Sequence, residues 1–104
     1  MKKFISGSIE NISLSKLISL LPEQGCVELQ RDGPKHTHNW HKHETDETLI
    51  IIQGNITFGI ESKEVTCGPG EYVVLPAGTL HKSTASNEGC VYTICFRDVL
   101  NWLS

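Results

Sequence analysis

The chain holds no apolar run long enough to cross a bilayer, no CxxC pair and no surplus of positive charge. Each absence removes a class of protein. A spanning helix needs about 20 consecutive apolar residues. The opening MKKFISGSIENISLSKL instead follows its two lysines with mostly polar residues, and it has no apolar leader core. This reads as a cytoplasmic protein with no membrane partner. Nine Lys and Arg against twelve Asp and Glu give a formal net charge of -3. With no basic face, nucleic acid and anionic membranes are not expected partners. Cys26, Cys67, Cys90 and Cys95 are too far apart for a zinc ribbon or a thioredoxin motif. In a reducing compartment they read as free thiols used as small buried apolar residues.

What is present points to a single β domain. At 104 residues the chain is expected to form one folding unit. Residues 12–21, ISLSKLISLL, place Leu14, Leu17, Ile18 and Leu21 on one helical stripe, ended by Pro22 and Gly25. Residues 1–25 are therefore expected to be an N-terminal helical extension packed on a barrel formed by residues 26–104. From Cys26 onward the texture is short strands between turn signals: CVELQ, LIIIQ, ITFGI, EVTC, YVVL, LHKSTA and CVYTICF. The GN between LIIIQ and ITFGI predicts a two-residue hairpin, and SNEG predicts a turn before the last strand. Such spacing without intervening helices predicts an antiparallel sandwich or barrel. DVLNWLS, with Asp98 as cap, predicts a short C-terminal helix.

The chemistry is concentrated in HNWHKHETDETLIIIQG, where histidines and acids abut an aliphatic run. On a strand, His41 and His43 point the same way, roughly 6.7 Å apart. Two imidazoles so placed can share one ion at about 2.0–2.1 Å from each nitrogen. Glu47 has the same parity but would lie on the order of 13 Å from His43 on a straight strand. If ETD bends the chain, Glu47 turns inward and completes a set of histidines and a carboxylate suited to non-haem iron and related metals. Alone, HxH fits a polar loop as well as a metal site.

A second segment, GEYVVLPAGTLHKSTA, sharpens the choice. Together the two stretches resemble the cupin superfamily. His41, His43, Glu47 and Gly54 match the spacing of its first motif, and Gly70, Pro76, Gly78 and His81 match its second. The chain departs from the pattern at Lys35, where the family has glycine, and at Ala85, where it has asparagine. The resemblance implies an all-β double-stranded β-helix (a jelly-roll barrel). It also implies one divalent metal ion, Fe2+, Mn2+, Ni2+ or Zn2+, held by His41, His43, Glu47 and His81. Glu47 doubles as the candidate catalytic base.

The activity so implied is that of a metal-dependent dioxygenase, isomerase or lyase acting on a small polar molecule. The alternative is a non-catalytic barrel that binds or senses a small ligand. A homodimer is expected by resemblance alone. His36 and His38 also form an HxH, but no carboxylate follows at family spacing, and they read as loop residues near the barrel mouth. Trp40 has the opposite parity to His41 and reads as a packing residue. On the last strand, Tyr92, Ile94 and Phe96 share one face and Thr93 and Cys95 the other, and pattern alone leaves open which is inside.

Overall fold

A computed structural model of the protein describes residues 3–10, 13, 15 and 27–97. Its strands are β1 (Ile5–Ser8), β2 (Val27–Asp32), β3 (Thr37–His41), β4 (Glu47–Ile60), β5 (Lys63–Cys67), β6 (Glu71–Leu75) and β7 (His81–Cys95). All pair antiparallel, in the order β1-β6-β4-β7-β2, with β5 added on β4 and β3 on β7. The expected all-β jelly-roll barrel is what forms.

Two long strands organise it. The first half of β4 pairs with β6 and with the end of β7, from Thr48↔Cys95 to Gly54↔Cys90. Its second half pairs with β5 and with the start of β7, from Ile56↔Ala85 to Ile60↔His81. Each long strand thus belongs to both walls of the barrel. Between the two halves, Asn55 alone stands opposite Ser86, Asn87, Glu88 and Gly89.

This corrects the reading of GN as a hairpin. Gly54 does have a positive φ, 79°, but it serves a bend within one continuous strand. A Cβ there would lie 2.2 Å from Gly89 O, so the close approach of β4 and β7 also demands glycine. SNEG likewise interrupts the pairing without ending β7. The two-residue turn falls later: Ile60 pairs with Lys63 across Glu61 and Ser62, and Glu61 takes a φ of 57°. A glycine with positive φ suits a bend as well as a hairpin. Only the partner strand decides between them.

Ile5–Ser8, read from sequence as part of the extension before the barrel, pairs with β6 as a strand of the sheet. Of the helix expected over residues 12–21 only Ser13 and Ser15 are described, Ser15 with helical backbone, and the helix expected from Asp98 lies outside the described residues. Among the described residues no helix is long and apolar enough to cross a membrane.

The aliphatic run Leu49-Ile50-Ile51 lacks alternation because both faces are covered. Leu49 and Ile51 join Phe58, Val73, Leu75 and Tyr92 in the interior cluster, whereas Ile50 packs with Ile9 and Cys95 on the outer face. Cys67, Cys90 and Cys95 are free and buried, as expected, and Cys26 lies outside the described residues. Burial, with a smaller contribution from neighbouring acidic groups, pushes the Cys67 and Cys90 thiols up to about 11, so they stay neutral packing groups. Lys35 occupies the family's glycine position with a φ of 60°, a left-handed conformation that explains why glycine is favoured there.

Gly54→Ala is expected to lower stability by about 2–4 kcal/mol, from a forced contact and a disfavoured φ together. Gly33→Ala, where a Cβ would meet nothing within 4 Å, should stay within about 0.5 kcal/mol. Urea denaturation of the two variants beside the parent measures both, and equal losses would remove the bend argument.

Candidate metal centre

The barrel encloses a cavity of about 330 Å³ whose lining includes His41, His43, Glu47 and His81. Three separate pieces of chain deliver them. His41 is the last residue of β3 and pairs directly with His81, the first of β7. His43 lies two residues beyond β3, and Glu47 opens β4. The turn expected over ETD is present and anchored: Asp46 Oδ1 accepts from the Ala77 N–H at 2.8 Å. Close by, the Gly78 N–H donates to His43 O at 2.8 Å. The PAG turn of the second motif therefore clamps the loop that carries the first.

One ring nitrogen of each of His41, His43 and His81 lies within 4.8 Å of the others. The His41 and His81 rings have centroids 4.3 Å apart. The tautomers follow from the backbone. A carbonyl oxygen can only accept, so His81 Nδ1–H donates to Thr79 O at 2.9 Å and His41 Nδ1–H to Asn39 O. Nε2 of both rings is left with its lone pair, the arrangement in which metal-binding imidazoles are held.

Glu47 stands at the rim of this cluster, 3% exposed. Its Oε2 is 3.3 Å from His43 Nε2, yet it is buried with no hydrogen-bond partner among the described residues. An orphaned buried carboxylate oxygen costs several kcal/mol unless something neutralises or binds it. A divalent cation would do so, and three imidazoles with one carboxylate form a donor set suited to iron, manganese, nickel or zinc. The residues therefore fit such an ion.

The electrostatics point the same way. Burial, and secondarily Glu28, pushes Glu47 up to about 7. Burial lowers His43, with His41 adding to the effect. It lowers His81 too, opposed by the Thr79 hydrogen bond and assisted by His41 and His43. Both imidazoles are thus held toward the neutral form, the only form with a lone pair for a metal.

The rest of the cavity settles the question left open for the last strand. Tyr92, Ile94 and Phe96 line it, together with Leu49 and Phe58. Trp40 points outward, as parity predicts: it is 43% exposed, with Lys82 Nζ 5.2 Å from its ring centroid. His36 is exposed. His38, by contrast, lines the cavity along with Glu28, Gln30 and Ser83. Glu28, Gln30 and Ser83 carried no sequence signal, and His38, read from its HxH with His36 as a loop residue, lies in β3, where an irregularity turns it inward.

Affinity for a divalent ion is expected to fall as pH drops below about 7, by about tenfold per unit from Glu47 alone, because the ion must displace its proton. The lowered imidazoles steepen the slope only at more acidic pH. Titration calorimetry with Zn2+ in buffers of different ionisation enthalpy reads the released proton. Affinity independent of pH between 5 and 7 would exclude Glu47 as a participant.

The Cupin domain family matches residues 28–96. The acireductone dioxygenase of Leishmania braziliensis is 30% identical over 70 residues, which cover 62% of this chain and 20% of that protein. The acireductone dioxygenase of Rhodopseudomonas palustris is 31% identical over 70 residues, covering 58% of this chain and 42% of that protein. The chain therefore spans between a fifth and about two-fifths of these curated relatives. A cupin superfamily protein from Desulfitobacterium hafniense superposes with a TM-score of 0.63 at 13% identity, over 92% of this chain and 79% of its own. Sequence motif, barrel and family match agree: the chain belongs to the cupin family.

Proposed function

We propose that the chain is a metal-dependent cupin enzyme acting on a small molecule inside its barrel, with His41, His43, Glu47 and His81 as ligands of one divalent metal ion. The observation that carries this reading is the buried Glu47 Oε2, without a hydrogen-bond partner among the described residues, beside three clustered imidazoles. A cavity of about 330 Å³ suits a small molecule rather than a polymer.

When bound, a divalent metal supplies Lewis-acid or dioxygen-activating chemistry. The protein's own contributions are separate. Thr79 O and Asn39 O hold the His81 and His41 rings in one tautomer. The apolar wall of Leu49, Phe58, Ile94 and Phe96 limits water around the site. The Glu47 carboxylate lines the cavity and is the candidate to take a proton from a molecule held there. Among dioxygenase, isomerase and lyase chemistries, the curated relatives favour the dioxygenase type.

Protein purified without chelator should carry a stoichiometric divalent metal by elemental analysis. Oxygen uptake with a panel of small thiols, diols and keto acids then tests the reaction class. Bound iron with substrate-dependent uptake supports the dioxygenase reading. A tightly held zinc with no turnover of any compound would favour a binding or sensing barrel instead. His81→Ala should reduce metal occupancy at least about tenfold, and unaltered occupancy would show the ligand set to be wrong.

A further inference from the structure

His38 and Asp32 take no part in the proposed metal site, yet both carry chemistry. On an unbroken strand, residues 38 and 41 would face opposite sides. In β3 the register shifts between them: His38 pairs with Ser83 and His41 with His81, so Asn39 and Trp40 stand opposite Lys82 alone. The bulge turns His38 back to the inner face, where its ring lines the same cavity as the metal candidates. Behind it Asp32 is 4% exposed. Its carboxylate accepts from Tyr92 Oη–H at 2.9 Å and stands 3.0 and 3.1 Å from His38 Nε2. The Gln30 amide lies 3.5 Å from the same carboxylate. A carboxylate flanked in this way accepts from Nε2–H, which leaves the lone pair of the ring on Nδ1.

The surroundings constrain what the cavity can hold. Its described lining carries the carboxylates of Glu28 and Glu47, the phenol of Tyr92 and four imidazoles, but no lysine or arginine. A bound divalent ion and the two carboxylates, both ionised, would cancel, so the lining offers an anionic substrate no net attraction. An uncharged substrate needs none.

We propose that His38 is an acid–base residue of this cavity, moving a proton to and from a small uncharged substrate that carries an exchangeable hydrogen beside a carbonyl or hydroxyl oxygen. Asp32 and Tyr92 are its positioning residues. The inference rests on the metal-dependent reading above, with the substrate oxygen seated at the histidine cluster. In the step, the substrate C–H or O–H bond breaks, its electron pair stays on the substrate, and the proton joins His38 Nδ1. The imidazolium so formed pairs with the Asp32 carboxylate, and returning the proton restores both groups. Burial and the hydrogen bond to Asp32 hold the Tyr92 phenol well above its usual range, so it remains a donor to the carboxylate.

The test uses the full chain loaded with Ni2+ and hydroxyacetone as a neutral, enolisable probe in D2O. Proton NMR follows deuterium entering the carbon beside the carbonyl. The parent protein should exceed the same concentration of free Ni2+. His38→Gln should keep stoichiometric nickel and its circular-dichroism spectrum but lose exchange by at least about tenfold. Asp32→Asn should lower the rate with KM unchanged and shift the His38 tautomer in long-range 1H–15N spectra. Undiminished exchange in nickel-loaded His38→Gln would overturn the proposal, as would a nickel-loaded parent that does not exchange the probe. A parent that binds no nickel would overturn the metal reading, and this proposal with it.

Discussion

The antiparallel pairing of β4 with β7 is the constraint on which everything else rests. Each is long enough to cross from one wall of the barrel to the other, and both bend at the same level, beside Gly54 and Gly89. Removing a side chain at the bend lets two backbones approach more closely than any Cβ permits. On one side of the bend the pair is sealed by β6 and β2, and on the other by β5 and β3. Among the described residues strands alone enclose the interior, and its apolar cluster is drawn from both halves of both strands.

The same pairing assembles the polar end of the cavity. Glu47 opens β4 and His81 opens β7, so the antiparallel arrangement would set them at opposite ends of an isolated hairpin. They meet because each strand bends around the barrel and β3 brings His41 level with His81. A metal ion held here would need ligands distant in sequence, kept in place by backbone contacts that do not depend on the ion. The Thr79, Asn39 and His43 carbonyls provide those contacts.

Among the described residues two carboxylates are buried, and they are treated differently. Asp32 is satisfied by Tyr92 and His38. Glu47 keeps one oxygen without a donor and has its proton affinity raised. A protein of this size has little stability to spend on an unsatisfied charge. An orphaned oxygen beside a cluster of imidazoles is therefore evidence about function, whereas the Asp32 network is satisfied within the protein.

The sequence by itself determined the β architecture, the family motifs and the residues that cluster. Turn residues, strand periodicity and HxH spacing are local properties, and His41, His43, Glu47 and His81 were legible from them together with the family resemblance. Tertiary structure alone decided three matters. Gly54 is a bend and not a hairpin because a positive φ serves both, and the partner strand selects one. Tyr92, Ile94 and Phe96 face the cavity because the register of β7 against β4 and β2 sets its parity. His38 faces inward because Asn39 and Trp40 bulge against Lys82. A register shift depends on both strands at once, so no pattern within either strand discloses it.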